Sequence, residues 1–168
     1  MEDEVDLYSI YSQKITDVIN SSKQSLKEIL LHKNLNDEDL TKCVIFDIDD
    51  TLITNNHIPI KEVIEFYKYV KYNLNISTII ITARKKTTEY QTKKLLDKIG
   101  IFDYDFLFMR DNFYIKNISY FKFDMRKILS ERYEIIANVG NYYSDFFGGY
   151  NGLIIKIPTI LECIDQLI

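Results

Sequence analysis

Three carboxylates close one of the most apolar stretches of this chain. The run VIFDIDDTL, residues 44–52, is made for a core until it reaches Asp47, Asp49 and Asp50. An unpaired buried charge is expensive, so a strand whose tip opens on a working site accommodates them better than a purely structural role. Residues two apart on a strand point the same way, with Cα atoms roughly 6.6 Å apart. Asp47 and Asp49 can therefore flank one reacting group. Other apolar runs end in groups that suit the same purpose: Thr82 in ITAR, and Gly140-Asn141 with Asp145 four residues on. Lys122 stands at the start of a helical pattern that feeds the run ending at Gly140. Carboxylates repel an anionic substrate, so a divalent cation is needed to bring the two together. Hard oxygen ligands beside a substrate phosphate favour Mg²⁺. Thr82 and Lys122 would then hold the remaining phosphoryl oxygens, where charge spreads in the transition state.

The elements that must position these groups alternate. Tyr8, Tyr11, Ile15, Val18, Ile19, Ser22, Leu26, Ile29 and Leu30 recur at steps of three and four, which predicts a helix over 5–31. The polar stretch NLNDED, 34–39, stops it. Such a face packs against a domain more readily than it pairs with a second copy. Strands are predicted at 43–48, 76–82, 105–109, 134–139 and 152–157. Helices are predicted over about 60–72, with Pro59 suited to the first turn, and from a Thr88/Gln91 capping box to Gly100. Two more follow, over about 122–132 and from about Thr159. The strands are continuous apolar runs rather than alternating ones, the mark of a parallel sheet covered on both faces. Alternating strands and helices give a three-layer α/β sandwich with a mainly parallel, Rossmann-like sheet. In such folds ligands bind at the carboxyl ends of the strands, which is where the acids, the hydroxyl and the ammonium fall. The chain reads as a single domain over 1–168, with residues 1–38 a helical extension packed on it.

Bulk composition agrees. With 168 residues, 46% of them hydrophobic and 27% charged, the chain can build a core of ordinary size. A net charge of −4 argues against a surface that grips nucleic acid as a whole, although a local basic patch is compatible with it. Cys43 and Cys163 lack metal-ligand spacing and read as core thiols. The acidic start MEDEVD is no signal peptide, and no apolar run approaches membrane-spanning length. The expected address is the cytosol, with no membrane partner.

The chain resembles the haloacid dehalogenase (HAD) superfamily of phosphatases. DIDDT fits its DxDxT signature, and ITAR, FKFDMRKIL and GNYYSD follow in order with Thr82, Lys122, Asn141 and Asp145. More narrowly, FDIDDTLIT, the leading helix, ITARKKTTEYQTKKLLDKIGI, FLFMR and ANVGNYYSDFFGG are similar to the plant and bacterial acid phosphatases of that superfamily, nearly end to end. The resemblance implies a Mg²⁺-dependent phosphomonoesterase in which Asp47 is the nucleophile that forms an aspartyl-phosphate. Asp49 would protonate the leaving oxygen and then activate water. Mg²⁺ would sit on Asp47, the main-chain carbonyl of Asp49, Asn141 and Asp145. The family usually has Asp where this chain has Asn141. An amide still offers a neutral oxygen, but one negative charge is lost, so weaker Mg²⁺ binding and a weakened, binding or storage-type protein form the alternative reading.

Neither interval between these motifs holds a full cap domain. An open site resembles those superfamily members that act on bulky phosphoesters or close the site by homo-oligomer formation, which implies a phosphorylated substrate, bulky or small. Nucleic acid is not indicated by the sequence, although a phosphorylated end is not excluded. Lys116 is the rival of Lys122; the FKxxxR spacing favours Lys122. Arg126, on the same helix face, reads as a partner behind the site or as a solvated residue. Arg84, Lys85 and Lys86 oppose the dipole of the helix that follows and read as a solvated loop or a steering patch for an anion. His57 reads as a surface residue near the mouth, and the tyrosines as packing rather than a stacking platform. A receiver-like signalling domain fits less well, because the third strand ends in Phe108-Met109-Arg110 rather than an acceptor Asp. A P-loop kinase is excluded by the lack of GxxxxGK[ST].

Overall fold

The computed structural model describes residues 6–32 and 40–165. The stretch 34–39, expected to stop the first helix, and the acidic start at 1–5 lie outside the described residues. Five strands form one parallel sheet in the order β3-β2-β1-β4-β5. They are β1 (Thr41–Phe46), β2 (Ser77–Lys85), β3 (Phe106–Arg110), β4 (Tyr133–Gly140) and β5 (Leu153–Lys156). Helices α1 (Leu7–His32), α2 (Lys61–Lys68), α3 (Glu89–Lys98), α4 (Ile118–Leu129), α5 (Tyr143–Phe146) and α6 (Ile160–Ile164) connect or flank them.

The unbroken apolar runs have the reason expected of them. Val44 and Phe46 of β1 and Ile80 of β2 face one core, with α1, α2 and Cys163 of α6. Cys43, Ile45, Ile79 and Ile81 face the other, under Phe121 and Leu129 of α4. The chain order turns back at β1, with β2 on one side and β4 on the other, so the crevice at the strand tips opens beside β1. Helix α1 sinks Tyr11, Ile15, Ile19 and Leu26 into the first core, so its apolar face packs within the chain. Among the described residues, no helix is long and apolar enough to cross a membrane. Cys43 and Cys163 are buried free thiols.

Local differences from the sequence reading have local causes. Pro59 stands before the N-cap Ile60 in a bridge with Ile53, not in the helical turn. Beyond Lys68, α2 continues as a π turn, Tyr69–Asn73. No Thr88/Gln91 capping box forms, because a 3₁₀ turn, Lys86–Thr88, intervenes and the Thr88 hydroxyl donates to the carbonyl of Lys85. Helix α4 starts four residues before Lys122, where the Asn117 side chain accepts from the Tyr120 N–H. Capping boxes stand instead at α6, between Thr159 and Glu162, and at α5, between Tyr142 and Asp145.

Candidate active site

Asp47 is the first residue beyond β1. Its N–H still donates to the Val139 carbonyl (3.0 Å), so its position is fixed by the sheet. The chain then winds tightly: the Ile48 carbonyl accepts from the N–H groups of Thr51, Leu52 and Ile53. Asp50 takes a left-handed conformation (φ 54°), which an Asp tolerates better than most residues. Bridges from Asp49 to Ile53 and from Ile53 to Pro59 close a small flap over the sheet edge. Asp50 pins that flap, accepting from the Asn55 N–H (2.9 Å) and from the Tyr142 hydroxyl across the crevice (2.7 Å).

Lys122 enters from α4 and is 4% exposed. Its ammonium donates to Asp47 Oδ1 (2.7 Å) and to Asp145 Oδ1. Asp47 and Asp145 are 5% and 2% exposed, so the three charges form a dry triad. Burial pushes the Asp47 carboxyl upward; Lys122 draws it back, but Asp145 and Asp49 add to the rise and leave it above the ordinary carboxylate range. Burial works against the Lys122 charge too, yet two carboxylates outweigh it and hold its pKa above the usual lysine value. The lysine gains more from the triad because both of its close partners are anions. Lys116, its rival in the sequence, is exposed and pairs with Asp124 (3.3 Å).

Thr82 is fully buried on β2, and its hydroxyl accepts from the Arg84 N–H (3.2 Å). The β2–β3 register slips between Thr82 and Lys85, and such an irregularity re-aims side chains at a sheet edge. Arg84 turns inward and grips both oxygens of Asp49, Nε to Oδ2 (2.9 Å) and one terminal nitrogen to Oδ1 (2.7 Å). That bidentate pair was not legible in a segment that reads as a solvated loop. The Asp49 bond holds the Arg84 charge more firmly than usual.

Beyond β4, Gly140 makes room for Asp145: a Cβ there would lie 2.5 Å from Asp145 Oδ2. Asp145 Oδ2 accepts from the N–H groups of Asn141 and Tyr142 (2.9 Å each), so it caps the turn into α5 while its other oxygen meets Lys122. Arg126 is no solvated residue. It is 1% exposed and donates to the carbonyls of Asp145 (2.7 Å), Phe147 and Gly149 (3.2 Å), holding the loop that carries Asp145. Burial lowers its pKa to about 10. Asn138 and Asn151 brace the same loop, Asn138 donating to the Asp145 carbonyl and to Asn151 Oδ1, and Asn151 to Phe146 (2.8–2.9 Å). Regular β4 alternation hides Asn138 from a sequence reader; an Asn inside an otherwise apolar run was the available signal.

Asn141 is 3% exposed, and neither atom of its amide meets a hydrogen-bond partner among the described residues. A buried amide left unmet costs about 1–3 kcal/mol. A cation reached by its oxygen would relieve the part of that cost borne by Oδ1, which fits an ion bound by oxygen donors. Among the described residues, no three His, Cys, Asp or Glu side chains form a ready cage. Of the four expected ligands, Asp47 and Asp145 meet through Lys122, and both oxygens of Asp145 are already engaged. Asn141 also lines a pocket of about 260 Å³ with Asp50, Tyr142 and Tyr11. His57, in the flap, is exposed.

The parallel sheet brings Asp47, just beyond β1, onto Lys122 of α4, with Thr82 buried within β2. The family model for the HAD superfamily, subfamily IIIB (acid phosphatase), matches residues 56–160, and the chain belongs to that family. Its fold is similar to the class C acid phosphatase from Bacillus anthracis with tungstate bound: TM-score 0.65, 18% identity, over 88% of this chain and 68% of that one. It is also similar to a chain in the Pnkp1/Rnl/Hen1 RNA repair complex, with TM-score 0.61 and 22% identity, over 74% of this chain and 46% of that one. No curated protein matches the sequence.

Proposed function

We propose that this protein hydrolyses phosphomonoesters with Mg²⁺ through an aspartyl-phosphate on Asp47. The observation that carries this reading is the engagement of Asp47. Among the described residues its carboxylate meets a single donor, Lys122, at one oxygen. The other oxygen is left to attack phosphorus. The bond to the leaving oxygen breaks as the bond to Asp47 forms, and Asp49 gives that oxygen its proton. Water then attacks the same phosphorus, Asp49 takes the proton from water, and Asp47 is released. Lys122 and Thr82 hold the non-reacting phosphoryl oxygens. Bound Mg²⁺, held by Asp47, the Asp49 carbonyl, Asn141 and Asp145, would offset the negative charge that collects there. Asp145 already serves Lys122 and two amides, so its share is smaller than that of Asn141.

Arg84 adds a step of its own. It holds both oxygens of Asp49, and a substrate phosphate is an equally good bidentate partner for a guanidinium. Binding of the phosphate would free Asp49 for proton transfer. The flap is small and among the described residues no cap covers the crevice, which supports a phosphorylated substrate of some bulk. A phosphorylated nucleic-acid end belongs among the candidates, as a fold neighbour lies in an RNA repair complex.

The test is turnover of p-nitrophenyl phosphate with Mg²⁺ by the wild type and by Asp47→Asn. Turnover by the wild type alone supports the enzyme; equal silence supports the weakened, binding-type reading. In Asn141→Asp the added charge should tighten Mg²⁺ activation, and an unchanged Mg²⁺ dependence would remove Asn141 from the ion's ligands.

A further inference from the structure

Beside the crevice, the loop 111–117 leaves β3 at the same sheet edge as the site. Tyr114 anchors it, its hydroxyl donating to Asp124 (2.5 Å) and its ring set edge-on against Phe121. The two neighbours of Tyr114 point the other way: Phe113 is 88% exposed and Ile115 98%. Asp111 fixes the turn by accepting from the Phe113 N–H (2.9 Å). Large apolar side chains held outward by an anchored turn are a presented surface rather than a slack loop. Tyr120, in the first turn of α4, lies close by, with the Lys116 ammonium 5.9 Å from its ring.

Cations accompany them. Lys85 stands opposite Arg110 in the β2–β3 register, and Lys86 follows at once. Among the described residues none of these three side chains makes an ion pair, although the chain as a whole is acidic. The carboxylates nearby have other duties. Asp111 holds the turn, Asp124 takes Tyr114 and Lys116, and Glu89 pairs with Lys93. Adjacent strands are about 4.8 Å apart, so β2 and β3 run roughly 5 and 10 Å to one side of β1, and Lys85 and Arg110 stand somewhat further along, because Phe46 of β1 is already level with Ile80. That is the reach of the few residues next to a terminal phosphate on a polymer.

We infer that the edge formed by Lys85, Lys86, Arg110, Phe113 and Ile115 docks the single-stranded nucleic acid whose terminal phosphate enters the crevice. Unpaired cations that track a backbone, beside an outward aromatic ring on which a base can stack, are the two parts such a surface needs. The inference rests on the phosphatase reading for what happens to the phosphate, but not for the binding itself.

The experiment uses the full chain and a short fluorescein-labelled oligothymidylate with a terminal phosphate. Anisotropy measures binding; phosphate release is compared with that from p-nitrophenyl phosphate. Wild type should bind the oligonucleotide and turn it over with the lower KM. Phe113→Ser with Ile115→Ser should weaken binding by between about fivefold and a hundredfold, with p-nitrophenyl phosphate turnover unchanged. Lys85→Ala with Lys86→Ala should reduce the salt slope of binding by about 1.4, for two phosphates on a single strand. Oligonucleotide binding without any turnover would sink the phosphatase reading and keep the docking surface. Absence of binding, or equal affinity in wild type and variants, overturns the docking surface whatever the activity. So does a dimer in sedimentation that Phe113→Ser dissolves, which would give the loop to a second copy of the chain.

Discussion

Replacing Lys122 by Met removes one cation from between two carboxylates that water scarcely reaches. Asp47 and Asp145 are 5% and 2% exposed, and the void they share with Arg126 and Asn138 is about 10 Å³, room for one water at most. Methionine is close in length and fills the space, so the loss is electrostatic rather than one of packing. Breaking a buried pair by removing one partner costs about 3–5 kcal/mol. In a chain of this size each kcal/mol moves the melting temperature by roughly 2–4 °C, so a fall of about 6–20 °C is expected. Protonation relieves the strain. The Asp47 pKa is already raised by burial, and without Lys122 it rises further. A carboxyl with a raised folded-state pKa binds more protons folded than unfolded just above its ordinary range, so stability there increases as pH falls. The deficit of the variant should therefore shrink on acidification. The assay is urea unfolding with a chelator present, so that no divalent ion replaces the lost charge. Adding Asp145→Asn to Lys122→Met should recover part of the loss. A Lys122→Met protein within about 1 kcal/mol of wild type at neutral pH, well below the expected range, would refute the account of the triad.

Asp49→Asn should let the phospho-enzyme accumulate, because water loses its base; acid quenching after a radiolabelled substrate would trap it, and no excess over wild type would reject the role. Gly140→Ala places a methyl 2.5 Å from Asp145 Oδ2; displacement of Asp145 should cost about 1–3 kcal/mol, read as a lower melting temperature. Arg126→Met strips donors from three carbonyls, one of them that of Asp145; a loss of about 1–3 kcal/mol is expected for each acceptor left dry, and chemical denaturation reads it. At α6, burial raises the Glu162 pKa, but Lys156 and the Thr159 N–H outweigh it and leave the group below its ordinary value. Its contribution is therefore present above the ordinary glutamate range and lost as pH falls through the lowered value, so Glu162→Gln should flatten the acid limb of the wild-type stability curve.

The parts of the site that were legible sit where sequence and chemistry coincide. Asp47 and Asp49 stand out because they end a run that is otherwise pure core, and Lys122 because the FKxxxR spacing favours it over Lys116. What was not legible depends on contacts between distant segments. Arg84 follows Thr82 in a run of three cations that opposes a helix dipole, and only the slipped β2–β3 register turns it onto Asp49, 35 residues away. Arg126 reads as a partner behind the site or as a solvated residue, and only the contacts with three carbonyls of a distant loop decide for the first. Helix α5 is too short for any period to appear. The loop around Phe113 gives no signal in sequence, because exposure has no signature in an isolated aromatic residue.

Asn141 gives the site an electrostatic character of its own. Asp47, Asp145 and Lys122 together carry one net negative charge, and Asp49 is neutralised by Arg84. A divalent cation bound there leaves one net positive charge facing the crevice; with an aspartate at 141 the loaded site would be neutral. In a dry site that difference weighs more than it would in water. On the proposed reading, the amide would weaken the hold on the ion and strengthen the hold of the loaded site on an anion. Asn141→Asp should move both quantities, lowering the Mg²⁺ concentration for half-maximal turnover while raising KM for p-nitrophenyl phosphate. If both fall together, the added carboxylate is not acting through the net charge of the site, and the exchange of ion affinity for anion affinity is wrong.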